Sequence, residues 1–565
     1  MHLALSLLCG VFWLLAFIPA GRGSDGKFRV RFDHPALFLG GFSAVLLVFR
    51  WPSFSDPFVY NLDEPQLIAQ AMRYLQLPVP WRDVDGNTNG PIISYLLSGA
   101  IWFGAPATEF TSRFVLWVCV CGIVSGLYVA LRQFLEEPHT RLALLPVAVF
   151  FAFNSNEEFL HYSSETVPLL LLCIALALLA RAWVRPVKVG PGAYLMMGLL
   201  LGVQPYAKLQ GAPPALAVGI MAVYVSLLGP GRRILIDSAA KIRFGWLIGG
   251  VTVASILSLG PVLAVGAGRD FWISYIEASR FYIGSGSQRD SIVRLLGFET
   301  FGDFSMLEIS SVWVLLMALV VNPTRLRGEA LTLLISAVIL CTTGGIAVIT
   351  PGTSYGHYLA YLIPGLACLA AAGARHSADG PVRAEDQRVF GFRIDPFYVT
   401  TLFLLCITVV AAGEHRVFFD KELRSARKVT LPTSDIVTME LRRITKPGEM
   451  MAIWGWMPQW YVATGLAPGT RDAVCPYTLR QGPYMDYFQR RFLDDMKRSR
   501  PVLFVDAASR AVSFYPLWSA DPRHEMYPEL VRYLEDQYVL YRSISPSPRG
   551  APIRIYMLKD RLPKS

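Results

Sequence analysis

The feature that most constrains this chain is the recurrence of long stretches almost free of charge. They include Pro35–Phe49, Val115–Leu131, Val167–Ala180, Phe244–Val265 and Leu331–Ile349. A helix crosses the hydrocarbon slab, about 30 Å thick, with roughly 17 to 25 apolar residues, so these runs read as membrane spans completed by their flanks. Composition agrees: 53% of the 565 residues are hydrophobic and 17% are charged, where a soluble protein carries about 25% charge. Mean hydropathy is +0.41.

The net charge of +10 does not mark a nucleic-acid partner, because Lys and Arg collect in short loops between the apolar runs. Those loops are Arg22–His34, Arg132–Arg141, Arg181–Lys188, Arg232–Arg243, Arg325–Arg327 and Arg375–Arg393. The intervening segments Asn154–Glu165 and Pro351–Gly356 contain neither residue. The positive-inside rule places the basic set in the cytoplasm and threads about eleven spans between Pro35 and Ala412. Leu3–Ala20 is either a further helix or a signal-like segment; its n-region lacks Lys and Arg and its cleavage site is poor, which favours the helix. Of eight cysteines only Cys475 falls in a polar region, and neither a disulfide framework nor a zinc spacing is present.

The expected organisation is a hydrophobic segment and linker over residues 1–34, a transmembrane catalytic domain over 35–412, and an α/β domain outside the membrane over 413–565. Two further external segments are larger than turns: Trp51 to about Phe110, and Gly266 to about Ser310. The first contains a helical pattern at Glu64–Leu75 and then Pro91–Phe103, an apolar run too short to span, which reads as a helix lying at the interface. The last alternates β-like runs (Met451–Trp454, Val502–Val505, Ile553–Met557) with helical ones (Pro483–Lys497, Glu525–Gln537).

Chemistry is expected where rare charges meet span ends. Asp63 and Glu64 stand side by side before Pro65, which suits a first helical turn. One reading makes them caps of that helix; the other makes them a general base or a metal ligand. Asn154–Glu165 holds three carboxylates, with Glu157 and Glu158 expected in solvent. Glu165 abuts the apolar run Thr166–Ala180, where a carboxylate is costly unless paired, so function and capping both stand for it. Lys208, alone between two apolar runs, either snorkels or meets a phosphate. Arg269, Arg280, Arg289 and Arg294 lie in the long external loop; each reads as a solvated charge, and Arg280 is the preferred extra phosphate contact. His357 and Tyr358 precede a span and suit the interfacial zone. The phosphate-cradling GxxxxGK[ST] loop, HExxH, G-x-S-x-G and a dinucleotide glycine fingerprint are all missing, which argues against ATP-driven transport and dehydrogenase chemistry.

In order along the chain, these residues resemble the type-C glycosyltransferases, the superfamily of protein O-mannosyltransferases and lipid A aminoarabinose transferases. The likeness runs from Asp63 to about Ala372. It comprises Asp63-Glu64, Asn89-Gly90-Pro91, Ser112-Arg113-Phe114, Tyr162-Ser163-Ser164-Glu165, Ala207-Lys208, and His357-Tyr358 followed by Leu362-Ile363-Pro364. Trp454-Gly455-Trp456-Met457-Pro458 is similar to a segment of many bacterial members. Gln66, Asn89 and Glu165 depart from the residues common in the family, which touches phosphate binding and donor choice rather than the general reaction.

The resemblance implies a polytopic α-helical architecture with interfacial helices and a C-terminal extramembrane α/β domain. It implies transfer of a sugar, with inversion, from a polyprenyl-phosphate donor to a hydroxyl of a cell-envelope lipid, glycan or protein. Asp63 is the expected base, supported by Glu64, with Glu165 positioning base or acceptor. Lys208 and Arg280 are expected at the donor phosphate, and Asn89, Arg113, His357 and Tyr358 at substrate. Some members use a divalent metal and others none, so the metal is left open. High Ala, Gly and Arg content points to a bacterial inner membrane, with the site on the periplasmic side. A multispanning transporter, a ligase for lipid-linked glycans and a non-catalytic scaffold are the competing readings. Transporters favour repeated halves with broken helices at the midplane, and the charges here gather at span ends on one side.

Overall fold

The structure is a computed structural model. It describes the chain except residues 1, 18, 23–27, 31, 57, 187, 230–232, 284–291, 293–301, 354, 380–387, 390–391, 394–395, 427–434, 509–522, 546–551 and 562–565. Arg289 and Arg294 therefore lie outside the described residues.

Helices α1 (His2–Phe17) and α2 (Pro35–Ser55) lead into α3 (Asp63–Tyr74) and α4 (Pro91–Trp102). Then follow α5 (Glu109–Leu131), α6 (Glu137–Phe153), α7 (Thr166–Val184), α8 (Pro191–Ala207), α9 (Ala212–Ser226) and α10 (Ser238–Ala264). A short α11 (Ala278–Ile283) precedes α12 (Gly302–Val321), α13 (Gly328–Ile349), α14 (Ile363–Ala378) and α15 (Pro396–Ala426). Among the described residues, eight helical segments are long and apolar enough to cross a membrane by length and composition. The 12-residue α4 is too short to do so. The segment Gly356–Ala378, which includes α14, is the most enclosed of the eight, with 83% of its apolar window buried; Ser238–Ala264, at 22%, is the most peripheral.

Local chemistry sets the helix starts. Proline occupies the first turn of α2, α4, α6, α8, α9 and α14, where its missing N–H costs no intrahelical bond. Asp237 caps α10 by accepting from the Ala240 N–H at 2.7 Å. In lipid no hydrophobic drive separates one apolar helix from another, so close backbone approach at small residues decides pairing. Helices α8 and α10 meet in this way: a Cβ at Gly198 would fall 2.0 Å from the Leu247 carbonyl oxygen, and one at Gly250 2.2 Å from that of Leu195.

Two arginines of the basic loops turn inward instead of facing water. Arg141 bonds Glu137 at 2.6 Å and the carbonyls of Ala16 and Phe32. Arg243 takes the carbonyls of Ser226, Pro186 and Leu228. Each satisfies carbonyls freed where helices end.

The C-terminal domain is an α/β unit. Its strands are β1 (Met450–Trp454), β2 (Ala467–Pro468), β3 (Leu503–Asp506), β4 (Tyr538–Ile544) and β5 (Ile553–Leu558). They form one sheet in the order β2-β1-β3-β5-β4. The first three are parallel, and β5 joins β3 and β4 antiparallel. Apolar clusters cover the sheet, one containing Ile453 and Val505 and the other Ala452 and Phe504, as alternation along the strands requires.

Buried ion pairs lock this domain onto the segment between α3 and α4. Arg491 bridges Asp85 and Asp472 at 2.7 Å each, and Arg471 bridges Asp495 at 2.9 Å and Asp270 at 3.1 Å. The Arg73 guanidinium donates to the Pro468 carbonyl. Helix α15 runs without a break from Pro396 to Ala426, so the 412/413 boundary expected from the sequence falls inside a helix.

Candidate active site

The site is built where α3, the segment 154–165, the end of α8 and the turn before α14 converge. Asn61 Oδ1 accepts from the Asp63 N–H at 2.9 Å, so Asn61 does the local capping. Helix α3 has no side-chain cap bond at its N-cap position. The Asp63 carboxylate keeps 29% of its surface exposed.

Its neighbour Glu64 is fully enclosed. It pairs with Arg113 at 2.9 Å and accepts from Ser112 Oγ at 2.7 Å and the Tyr162 N–H at 3.3 Å. Arg113, expected at substrate, is placed elsewhere. It has no exposed surface, stacks over Tyr60 with 4.4 Å to the ring centroid, and donates to the carbonyls of Ser53, Asp56 and Phe58. Glu64 and Arg113 thus tie α2, α3 and α5 together.

Glu165 stands at the N-cap position of α7 but makes no side-chain cap bond. Its Oε1 lies 2.5 Å from Lys208 Nζ, which also donates to Ser164 Oγ. Neither capping nor snorkelling describes this pair: Lys208 is 5% exposed and points inward, with its ammonium 5.3 Å from the centre of the Tyr358 ring. Burial opposes the charge on Glu165, but Lys208 and then His357 outweigh it and hold the carboxyl at about 2.

Lys208 is brought here by backbone. Asn89 pairs with it in an isolated bridge and the Gly90 N–H donates to the Ala207 carbonyl at 2.8 Å. A Cβ at Gly90 would sit 1.6 Å from the Tyr206 carbonyl oxygen, so only glycine permits this approach. The Asn89 side-chain oxygen is buried without a hydrogen-bond partner among the described residues.

His357, in the turn Gly356–Leu362, completes the cluster. Its Nδ1 is 2.5 Å from Glu158 Oε2, and its Nε2 is 4.0 Å from Asp63 Oδ2 and 3.8 Å from Glu165 Oε2. Glu158, read from sequence as a solvated loop charge, is instead drawn inward. Burial opposes its charge, yet the hydrogen bond and charge of His357, with the charge of His161, hold it at about 2. Nothing in the sequence marks this residue, since its partner is 199 positions away. A cavity of about 100 Å³ opens beside Lys208 and Tyr358, lined also by Thr88, Gln210, Ser279 and Tyr282. Arg280 is not brought to the cluster: its side chain is 72% exposed and pairs with Glu277 at 3.5 Å.

Among the described residues, one group has metal-ligating geometry, Asp506, His524 and Glu525 in the C-terminal domain. His524 Nδ1 already meets Asp506 at 2.6 Å. Arg554 donates to Asp506 at 2.8 Å and to Glu525 at 2.7 Å. A divalent ion would have to displace that guanidinium, so as arranged these residues fit a closed ion network better than a resident metal.

No family model and no curated sequence matches the chain. Among solved structures it is similar to ArnT from Cupriavidus metallidurans bound to undecaprenyl phosphate, with a TM-score of 0.55 and 13% identity over 94% of this chain and 100% of that one. The apo state of the same protein gives a TM-score of 0.51 and 15% identity over 93% and 98%. The likeness shows the fold that the chain shares with that protein, a polytopic helical core followed by an α/β domain.

Proposed function

We propose that this protein is a membrane glycosyltransferase that moves a sugar, with inversion, from a polyprenyl-phosphate donor to a hydroxyl acceptor of the cell envelope. The observation that carries the reading is a partly exposed carboxylate, Asp63, set against a buried cluster of Glu165, Lys208 and His357, of which Lys208 lines a cavity of about 100 Å³.

In this reading the acceptor hydroxyl attacks the anomeric carbon. The C–O bond to phosphate breaks with its electron pair on the phosphate oxygen, and polyprenyl phosphate leaves. Asp63 takes the acceptor proton, since it is the most exposed carboxylate of the cluster and, unlike Glu165, is not paired with the Lys208 ammonium. Lys208 opposes the charge that grows on the leaving phosphate. Two of its three N–H bonds are directed at Glu165 and Ser164, which leaves one for the ligand and fixes the ammonium in advance. Glu165 positions Lys208, and Tyr358 and Asn89 border the donor's place. The Glu64–Arg113 pair supports Asp63 from behind. Arg280 receives no role. The fold likeness to a protein crystallised with undecaprenyl phosphate supports the lipid-phosphate donor, and the basic loops support a site on the periplasmic side of a bacterial inner membrane.

The test is sugar transfer by purified protein in lipid vesicles. It uses a panel of radiolabelled polyprenyl-phosphate sugars with envelope acceptors, and Asp63→Asn alongside. Transfer by the wild type and none by the folded variant is expected. Movement of solute across the vesicle membrane without binding of any lipid-linked sugar would overturn the reading in favour of a transporter.

A further inference from the structure

The span ends opposite the site enclose a second cavity, of about 400 Å³. Leu127 and Leu131 of α5, Leu176 and Trp183 of α7, Tyr224 of α9 and Leu340 of α13 line it. Leu176 lies about 16 Å along α7 from Glu165, at 1.5 Å per residue, so this cavity is separate from the cluster around Lys208. Two hydroxyls of its wall, Thr332 and Ser336, are spent on the carbonyls of Gly328 and Thr332 in their own helix. Water needs two to four polar partners, and an apolar cavity of about 150 Å³ already stays dry and takes a benzene ring. Left empty, the wall forfeits its dispersion contacts. The mouth lies between α9 and α13, where the wall residues Ile220 and Ile335 are 62% and 51% exposed. It therefore faces the lipid, and hydrocarbon is what fits.

The rim is charged. Arg181 and Arg185 flank Trp183 at the end of α7, and Arg327 is the N-cap of α13. All three are exposed, and none makes an ion pair or a side-chain hydrogen bond among the described residues. The nearby acids Glu329 and Asp379 are both matched by Arg375, at 3.5 and 3.1 Å. Arg375 also donates to the carbonyl of the wall residue Phe134 at 3.2 Å. The Trp183 and Tyr224 rings lie 6.1 Å apart, and such amphipathic rings settle at the level of lipid headgroups. Topology asks for basic loops on the cytoplasmic side, but not for an apolar cavity and an aromatic pair beneath unmatched cations.

We propose that this cavity binds one anionic phospholipid of the cytoplasmic leaflet, with an acyl chain between α9 and α13 and the phosphate on Arg181, Arg185 and Arg327. Basic pockets between spans on that side suit acidic headgroups. A prenyl tail would fill the same space and leave the three cations unmatched, so the charge favours the phospholipid. The site does not depend on the transferase reading, since no group of that reaction lines it. The bound chain completes the packing between α9 and α13. At their other ends Gln210 and Ala347 are joined by a hydrogen bond of 3.3 Å and line the cavity beside Lys208.

The test adds phosphatidylglycerol, or phosphatidylcholine with the same acyl chains, to the full chain delipidated in detergent. Native mass spectrometry counts the bound lipid, and thermal melting reads its effect. One tightly held phosphatidylglycerol per chain is expected, preferred at least about tenfold over phosphatidylcholine and raising the melting temperature. Arg181→Gln and Arg327→Gln should each weaken phosphatidylglycerol about fivefold and leave phosphatidylcholine unchanged. Ser336→Phe puts a ring into the cavity; it should melt in plain detergent at or above the wild type and hold neither lipid. Ala180→Leu, a smaller filling from the facing helix, serves where Ser336→Phe melts lower. A filled variant that melts normally and still holds phosphatidylglycerol like the wild type overturns the site. No tightly held lipid, or equal retention of the two lipids by the wild type, also overturns it. Displacement of phosphatidylglycerol by an uncharged polyprenol overturns it as well and assigns the cavity to a prenyl tail.

Discussion

Two charge clusters start from adjacent residues of α3, Asp63 and Glu64, and they differ in one respect. Glu64 and Arg113 form a closed set: the guanidinium meets a carboxylate and three backbone carbonyls, and the carboxylate meets a hydroxyl and an N–H besides. Glu165, Lys208, His357 and Asp63 form an open one, with a partly exposed carboxylate and an imidazole nitrogen that has no hydrogen-bond partner among the described residues. Burial of charge near the membrane marks both, so burial alone does not identify a site. Incomplete satisfaction does, because a structure that leaves polar atoms unmatched is arranged for something that arrives later.

The sharpest way to break the comparison is to neutralise one member of each cluster. Asp63→Asn is expected to lower kcat by about 10² to 10⁴, the range of a general base, with thermal stability preserved. Arg113→Met is expected to do the opposite: about 3–5 kcal/mol of stability lost, since Glu64 is left as an unpaired buried charge. The surviving folded fraction should keep near-normal kcat. Denaturation in detergent and single-turnover transfer measure the two. Equal loss of activity per folded molecule in both variants would erase the distinction.

Lys208→Met comes next. The ammonium stabilises charge that grows in the transition state, so kcat should fall about 10² to 10³-fold while donor binding weakens less. A further change tests the pairing: Glu165→Gln in the Lys208→Met background removes the carboxylate that Lys208 would leave unpaired. The double variant should recover stability without recovering rate. Additive losses in both would show that Glu165 contributes to chemistry directly.

How much of this was legible in sequence follows the same division. Apolar runs and basic loops revealed a polytopic helical protein because lipid imposes its length and charge rules on every span. Pro91 opens α4, and the apolar run read as too short to cross forms a helix of 12 residues. The β-like runs at Met451–Trp454 and Ile553–Met557 fall on β1 and β5. Asp63, Glu165 and Lys208 were readable as costly charges at span ends. What each does with its charge was not readable, because partners come from distant segments: Glu64 needs Arg113, and Glu158 needs His357. Arg113 and Glu158 were misplaced for that reason, one assigned to substrate and the other to solvent. The inward turn of Arg141 and Arg243 escaped notice likewise, since loop composition records charge and not direction.

The dependence of stability on acid separates the clusters again. The Glu158 carboxyl is held at about 2 against an ordinary 4.5. A lowered carboxyl contributes stability that is complete above its unfolded value and is lost as pH falls through the folded one. The wild type should therefore lose stability between about pH 4.5 and pH 2, as measured by melting in vesicles. Glu158→Gln should flatten part of that slope while leaving the slope due to other carboxylates. An unchanged slope would mean that the Glu158–His357 contact contributes nothing to the folded state.

The smallest expected effect is at Arg280, and it tests the comparison from outside. From sequence it was the preferred second cation for the donor phosphate; in the structure it faces solvent, with the half-buried Glu277 as its partner three residues away. A largely exposed pair of this kind is worth about 0–1 kcal/mol, and a surface change away from buried networks alters stability by about 0.5 kcal/mol or less. Arg280→Ala should accordingly leave kcat and donor KM within about twofold of the wild type. A loss approaching that of Lys208→Met would mean that α11 swings its arginine onto the bound donor. The open cluster would then be completed by the ligand from a second side, and its exposed carboxylate would mark only half of the site.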